Sequence, residues 1–167
     1  EEDEDPSSGL RSSLEGANSA AAVLGVSAML PGGVVGEAQT WRMSVGGCNV
    51  VREVPPSRWE LPPPPPASDE VGWRSRFGGF VVGAEKFDNR CFGMSAVEAA
   101  SADPQQRLLL EFGYEALHAA GRSRSALEGS VTGVFCAIAS FDFPTVLKAS
   151  PAWGSVYAAT GSSHSIA

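Results

Sequence analysis

DPQQRLLLEFGYEALHAAG, residues 103–121, predicts the clearest helix in this sequence of 167 residues. Asp103 is a favoured N-cap residue, and Pro104 suits the first helical position, where its missing N–H loses no intrahelical bond. Gly121 is typical of the position just beyond a helix C-terminus. Between these signals, apolar residues recur at helical spacing: Leu109, Phe112, Ala116 and Ala120. We therefore expect an amphipathic helix that packs one broad face against the rest of the protein.

Two short apolar runs on either side of this helix are typical of buried strands. Residues 21–26 lead into a turn rich in proline and glycine, and residues 131–138 are β-branched and aromatic. Ser95 and Glu98 have the spacing of a capping box, which predicts a shorter helix through Ala100. Because strand, helix and strand alternate, we expect an α/β fold in which helices pack on a sheet with parallel pairing.

Composition divides the chain into a tail and a folded region. Residues 1–18 combine acidic residues with Ser and Gly and have no apolar period, so we expect a disordered tail or linker there and a folded region at 19–167. Five consecutive prolines, Pro62 to Pro66, favour polyproline II and exclude a helix or central strand. We interpret 61–75 as a proline-rich surface loop, with a ligand for a proline-recognising domain as the alternative.

Charge and hydropathy exclude several classes of function. The net charge is −7 and the basic residues form no run, which argues against nucleic-acid binding. The most apolar stretch, residues 20–30, is shorter than the roughly 20 residues of a membrane span and lacks the basic region of a secretory signal. We expect a cytoplasmic protein with no nucleic-acid or membrane partner.

Candidate reactive groups in the sequence are isolated. Gly161 to His164 places serines beside a histidine, but the segment lacks the GxSxG elbow of a serine hydrolase. The glycines after the first apolar run match neither dinucleotide-binding nor P-loop spacing. We expect neither a metal site nor a disulfide framework, because zinc-ligand spacing is missing at every cysteine and histidine: Cys48, Cys91, Cys136, His118 and His164.

A dense series of motifs takes the interpretation further. The motifs follow one another in this order: Gly78, Gly79 and Phe80; Phe87 and Asp88; Phe92, Gly93, Met94 and Ser95; Glu98 and Ala99; and residues 103–111. Together they resemble the β-ketoacyl synthase domain of modular polyketide synthases, and the resemblance extends from about Ala20 to Ala167. Ala96 stands where the family usually has Pro, and Ala102 where it usually has Met.

The resemblance implies the thiolase-like fold, in which two α/β halves form a layered core with a mixed sheet packed by helices, normally as a homodimer. It implies a transferase that joins acyl and malonyl thioesters by decarboxylative Claisen condensation in polyketide or fatty-acid biosynthesis. That chemistry needs a cysteine in a TACSS-like motif and two later histidines, and none of these motifs occurs in this sequence. We therefore assign no catalytic residue and expect an incomplete, N-terminal portion of the domain.

The resemblance also implies particular site residues and partners. Thr160, Gly161 and Ser163 correspond to positions near the acyl pocket, and a simple helix-capping turn is the alternative interpretation. The expected partners are the remainder of the synthase domain and an acyl carrier protein bearing phosphopantetheine, with no cofactor held by this chain itself. A second hypothesis is an inactive, truncated synthase half that acts as a partner or decoy in a synthase assembly.

Overall fold

A computed structural model of the protein describes residues 21–161 and residue 163. The strands are β1 (Met29–Leu30), β2 (Val34–Val35), β3 (Arg52–Glu53) and β4 (Phe77–Gly78). The α-helices are α1 (Gly36–Val45), α2 (Glu70–Arg74), α3 (Ala96–Ser101), α4 (Pro104–Ala119), α5 (Arg124–Leu127), α6 (Phe143–Lys148) and α7 (Ala158–Gly161). A 3₁₀ helix at Pro151–Gly154 precedes α7. The predicted tail at 1–18 lies outside the described residues.

The long predicted helix is confirmed as α4, and both of its ends follow the predicted signals. Asp103 is the N-cap, and its Oδ1 accepts a hydrogen bond from the Gln105 backbone N–H at 2.8 Å. Pro104 occupies the first turn. At the other end Gly121 has a φ of +70°, a left-handed conformation that glycine adopts without a steric penalty. Local sequence signals therefore set both limits of this helix.

Helix α3 confirms the second predicted helix together with its capping box. Ser95 Oγ accepts a hydrogen bond from the Glu98 backbone N–H at 3.2 Å. In return, Glu98 Oε2 accepts a hydrogen bond from the Ser95 backbone N–H at 3.4 Å. The helix runs to Ser101, one residue beyond the predicted end. Only two residues, Ala102 and Asp103, separate it from α4, so the two helices meet at a tight junction.

The prediction of two buried, parallel strands is wrong for the described residues. Residues 21–26 and 131–138 belong to neither sheet, and Val23 and Phe135 are 83% and 99% exposed. The pairs that do form, β1 with β2 and β3 with β4, are antiparallel. A buried parallel strand needs hydrogen-bonded neighbours at its edges and layers on both faces, and the described part of the chain supplies neither to these two segments.

The first of these segments instead contacts α4. Ser27 Oγ donates a hydrogen bond to Glu115 Oε2 at 2.6 Å. At Gly25 a Cβ atom would overlap the carbonyl oxygen of Ala116, so this backbone lies directly on the helix. The segment therefore contacts one face of α4 through Gly25 and Ser27, while its apolar side chains Val23, Leu24 and Val26 stay exposed.

The proline-rich loop is shorter than predicted. Residues 62–66 lie outside the helices and strands, and Arg76 Nη1 donates a hydrogen bond to the Pro62 carbonyl at 2.7 Å. The last part of 61–75 forms α2, because Asp69 acts as an N-cap and accepts a hydrogen bond from the Gly72 backbone N–H at 2.9 Å. The sequence interpretation overlooked this cap.

The best-buried residues lie where α3, the start of α4, α6, the 3₁₀ helix and α7 meet. Leu147 of α6 is 1% exposed, and Ser101 and Asp103 at the junction of α3 and α4 are 0% and 3% exposed. Ala99, Ala102 and Ala158 are buried beside them. Within 21–161, no helix has the length and the hydropathy to cross a membrane. Helix α7, which belongs to this cluster, contains Thr160 and Gly161, two of the residues that the sequence singled out.

Candidate functional site

An apolar cavity of about 480 Å³ lies between α4 and the segment that follows α5. Helix α4 lines it with Leu109, Leu110 and Leu117, and the later segment contributes Val134 and Cys136. Further lining residues come from α3 and its flanks and from the region of α7: Met94, Glu98, Ala102, Tyr157, Thr160 and Gly161. Two of the three predicted site residues, Thr160 and Gly161, therefore lie in the wall of one cavity.

Hydrogen bonds hold this part of the wall against the junction of α3 and α4. The Asp103 backbone N–H donates to the Gly161 carbonyl at 2.8 Å. Gln106 Nε2, from the first turn of α4, donates to the Ser163 carbonyl at 2.9 Å. Ser163 does not line the cavity, and its backbone carbonyl is held by Gln106 instead.

Gly161 lies where α7 approaches α3 most closely. A Cβ atom at this position would overlap the carbonyl oxygen of Ser101, which is fully buried. Only glycine leaves room for the two backbones to meet at this distance. The requirement for glycine therefore comes from a tertiary contact and could not be read from the local sequence.

Arg107 introduces a positive charge into the apolar wall. Its Nε atom is buried and has no hydrogen-bond partner among the described residues. Burial lowers the pKa of the Arg107 guanidinium from its ordinary value, while the carboxylates of Asp103 and Glu111, one turn away on either side, act in the opposite direction. Arginine remains protonated under such conditions, so the cavity contains a cation.

The other candidates from the sequence are dispersed. Cys136 lies in the wall of the apolar cavity, Cys91 lines a neighbouring cavity, and both, like Cys48, are exposed free thiols. His118 lies in the last turn of α4 with its ring 6.3 Å from that of Tyr114. His164 is outside the described residues. In the described part of the chain, no three His, Cys, Asp or Glu residues are grouped so as to hold a metal ion.

Sequence reasoning misses Arg107 and Cys136 as cavity residues. The helical period places Arg107 off the apolar stripe of α4, although the residue lines the same cavity as leucines of that stripe. Cys136 falls in a segment that the sequence predicts as a buried strand. The apolar stripe on α4 indicates that another segment of the chain packs against this helix. It does not indicate that this segment is the one that contains Cys136.

Comparison with known proteins places these observations in a family. The N-terminal domain of β-ketoacyl synthases matches residues 18–167. The chain is 36% identical over 147 residues to one of the phenolphthiocerol/phthiocerol polyketide synthases of Mycobacterium tuberculosis strain CDC 1551 / Oshkosh, a match that covers 86% of this chain and 8% of the relative. It is 38% identical over 149 residues to polyketide synthase GfsB of Streptomyces halstedii, covering 87% of this chain and 3% of the relative.

Solved structures agree with this match. The oxazolomycin ketosynthase domain of Streptomyces albus JA3453 is 33% identical and superposes with a TM-score of 0.61, covering 76% of this chain and 23% of that one. The ketosynthase from module 6 of the bacillaene synthase of Bacillus subtilis 168 is 30% identical with a TM-score of 0.53, covering 62% of this chain and 17% of that one.

These findings define an α/β chain with part of a thiolase-like fold, as the sequence predicted. The chain belongs to the β-ketoacyl synthase family and corresponds to the N-terminal domain of polyketide-synthase ketosynthases. It spans a tenth or less of the length of the curated relatives, at 8% and 3% for the two described here. The alternative of an inactive partner or decoy is not favoured, because the relatives are named as polyketide synthases and ketosynthases.

Proposed function

We propose that this chain forms the N-terminal part of a ketosynthase that condenses acyl and malonyl thioesters in polyketide biosynthesis. In this reaction the malonyl thioester loses CO₂, and the resulting enolate carbon attacks the acyl thioester carbonyl. A carbon–carbon bond forms as the carbon–sulfur bond breaks, and the thiolate leaves. The observation that carries the proposal is the family match over 18–167, which includes every element around the apolar cavity.

The apolar cavity is proposed to hold part of the acyl chain. Its volume of about 480 Å³ is within the ~300–1,000 Å³ range of small-molecule sites. Leucines of α4 form much of the wall, and burial of each CH₂ group of a ligand contributes about 0.8 kcal/mol. Thr160 and Gly161 would then be wall residues, and Ser163 would position them through its hydrogen bond from Gln106.

The groups that react are proposed to come from motifs that residues 1–167 do not contain. The family takes the acyl chain on a cysteine in a TACSS-like motif and uses two histidine motifs, and neither pattern occurs here. Cys136 lies in the cavity wall but outside any such motif, so we do not assign it as the acceptor. The proposed partners are the rest of a ketosynthase domain, a second copy of that domain and an acyl carrier protein bearing phosphopantetheine.

An assay of the full-length protein that carries this sequence tests the reaction. Incubation with an acyl thioester and malonyl-carrier protein should yield a β-ketoacyl thioester and one CO₂ for each condensation. A folded protein that produces neither would contradict the proposed reaction.

Substitution of Ala102 tests the assignment of the cavity separately. Ala102 is 5% exposed and lines the cavity, so Ala102→Met places a longer side chain in its space. We expect kcat/KM for long acyl thioesters to fall by about tenfold relative to short ones, which is the scale of discrimination by pocket size. Ala100→Met is the matched control, because Ala100 lies in the same helical segment and is exposed. An unchanged chain-length profile in Ala102→Met would show that the acyl chain binds elsewhere, even in an active synthase.

A further inference from the structure

A second cavity, of about 410 Å³, lies beside the apolar cavity, next to the C-terminal half of α4. Its wall contains three arginines, Arg90, Arg122 and Arg124, and no aspartate or glutamate among the described residues. We call it the arginine cavity. It shares Tyr114 and Leu117 with the apolar cavity but none of the residues of α7. Three cations around one cavity are unexpected in a chain whose net charge is −7.

The three guanidinium groups have no counter-ion in the described structure. Among residues 21–161 and 163, their side chains make neither an ion pair nor a hydrogen bond. Two other arginines do form ion pairs: Arg76 lies 2.9 Å from Glu53, and Arg74 lies 3.3 Å from Glu70. The Asp88 carboxylate accepts hydrogen bonds from the Arg90 and Cys91 backbone N–H groups. Three arginines near one carboxylate leave a net positive charge, which attracts an anion.

Turns at the end of α4 and before α3 place these arginines. The Gly93 backbone N–H donates to the Arg90 carbonyl at 3.1 Å. After Gly121 ends α4, the Arg122 backbone N–H donates to the Leu117 carbonyl at 2.9 Å. Arg124 then begins α5, which Ser123 caps. The backbone positions of all three therefore follow from hydrogen-bonded turns and not from unstructured loops.

The remaining wall is apolar and aromatic. Phe92 and Tyr114 meet edge to face, with ring centroids 6.4 Å apart. Leu117 and Leu127 also line the cavity. A guanidinium presents a planar fork of donors that fits phosphate oxygens, while ring surfaces favour a flat or apolar ligand body. The volume of about 410 Å³ is again within the ~300–1,000 Å³ range of small-molecule sites.

We propose that the arginine cavity binds a small phosphate monoester with an aromatic or apolar body. The phosphate would be held by the arginines, and the body would lie against Phe92 and Tyr114. This site is distinct from the one proposed for condensation, because its three arginines do not line the apolar cavity, although Tyr114 and Leu117 line both cavities. Inorganic phosphate carries the same type of charged group but has no aromatic or apolar body. A comparison of the two ligands therefore tests whether the body contributes to binding.

Cys91 provides a reporter inside the site. It lines the arginine cavity and its thiol is free and exposed, whereas Cys48 is equally free and lies elsewhere. In the full-length protein that carries this sequence, alkylation of each cysteine by iodoacetamide can be followed by peptide mass spectrometry. Phenyl phosphate should slow alkylation of Cys91 by at least about fivefold at saturation and leave Cys48 unchanged. Inorganic phosphate should protect only at higher concentration, and phenol should not protect.

Substitution of two of the arginines tests whether they are responsible for the protection of Cys91. In Arg122→Ala/Arg124→Ala the concentration of phenyl phosphate needed for half-protection should rise at least about tenfold, because charge-assisted hydrogen bonds are lost. Arg74→Ala is the control, since Arg74 is exposed and lies outside this cavity. Absence of protection at Cys91 would overturn the proposal, as would equal protection in the double variant. Equal protection by inorganic phosphate would overturn the assignment of an organic body.

Discussion

Gly161 shows how one missing side chain positions the candidate site. Its backbone lies against the Ser101 carbonyl, and its own carbonyl accepts a hydrogen bond from the Asp103 N–H at 2.8 Å. Gly113 in α4 provides a contrast, because a Cβ atom there would meet nothing within 4 Å. The same residue type is thus required by a tertiary contact at one position and is merely tolerated at the other.

Alanine substitution at these two glycines should have opposite effects. Gly161→Ala forces α7 away from α3, and overpacking of this kind destabilises by about 1–3 kcal/mol. Gly113→Ala should be neutral or stabilising by about 0.5–1 kcal/mol, because alanine favours the helix. Hydrogen exchange at the Asp103 amide measures both changes. Faster exchange in Gly161→Ala but not in Gly113→Ala is the expected result, and equal rates would contradict the proposed close contact.

At the scale of elements, the junction of α3 and α4 organises the site. Asp103 caps α4 with its side chain and binds α7 with its backbone, and it is 3% exposed. Gln106, one turn later, anchors Ser163. The same helix end therefore supplies a local cap and two long-range contacts, which explains why residues 103–107 combine helix signals with buried polar groups.

Removal of the Asp103 side chain should weaken the start of α4, while the backbone N–H that binds α7 stays in place. Asp103→Ala should destabilise by about 1–2 kcal/mol, which is typical of a lost N-cap, whereas Asp103→Asn retains an acceptor and should cost less. Ser95→Ala removes the cap of α3 and serves as a comparison at the other helix of the junction. Thermal denaturation of the full-length protein that carries this sequence, followed by circular dichroism, measures the order of stability. If Asp103→Asn were as unstable as Asp103→Ala, the acceptor role of the side chain would be refuted.

In the part of the chain that the structure describes, the exposed large apolar side chains outnumber the buried ones. The segment 131–138 includes Val131, Val134 and Phe135, all largely exposed, and Leu110 and Leu117 of α4 are partly exposed beside it. Contiguous patches of this kind mark surfaces that another element or protein covers. The backbone of 131–138, which joins neither sheet, adds hydrogen-bonding groups to this face.

Residues 1–167 studied in isolation should therefore be loosely packed. We expect strong binding of a hydrophobic dye, self-association and a broad thermal transition without two-state behaviour. The full-length protein that carries this sequence is the comparison, and hydrogen exchange of 131–138 should be slower there. A soluble monomer of residues 1–167 with a sharp cooperative melt would contradict this expectation.

Helices α3 and α4 could be predicted from the sequence because caps, proline position and apolar period act within a few residues of one another. The order of motifs also identified the family correctly. The strands predicted at 21–26 and 131–138 are not formed in the structure. Strand pairing depends on partners distant in the chain, and an apolar run cannot specify them. The apolar cavity, the need for glycine at 161 and the convergence of three arginines all depend on such long-range contacts, so they became visible only once the helices were placed against one another.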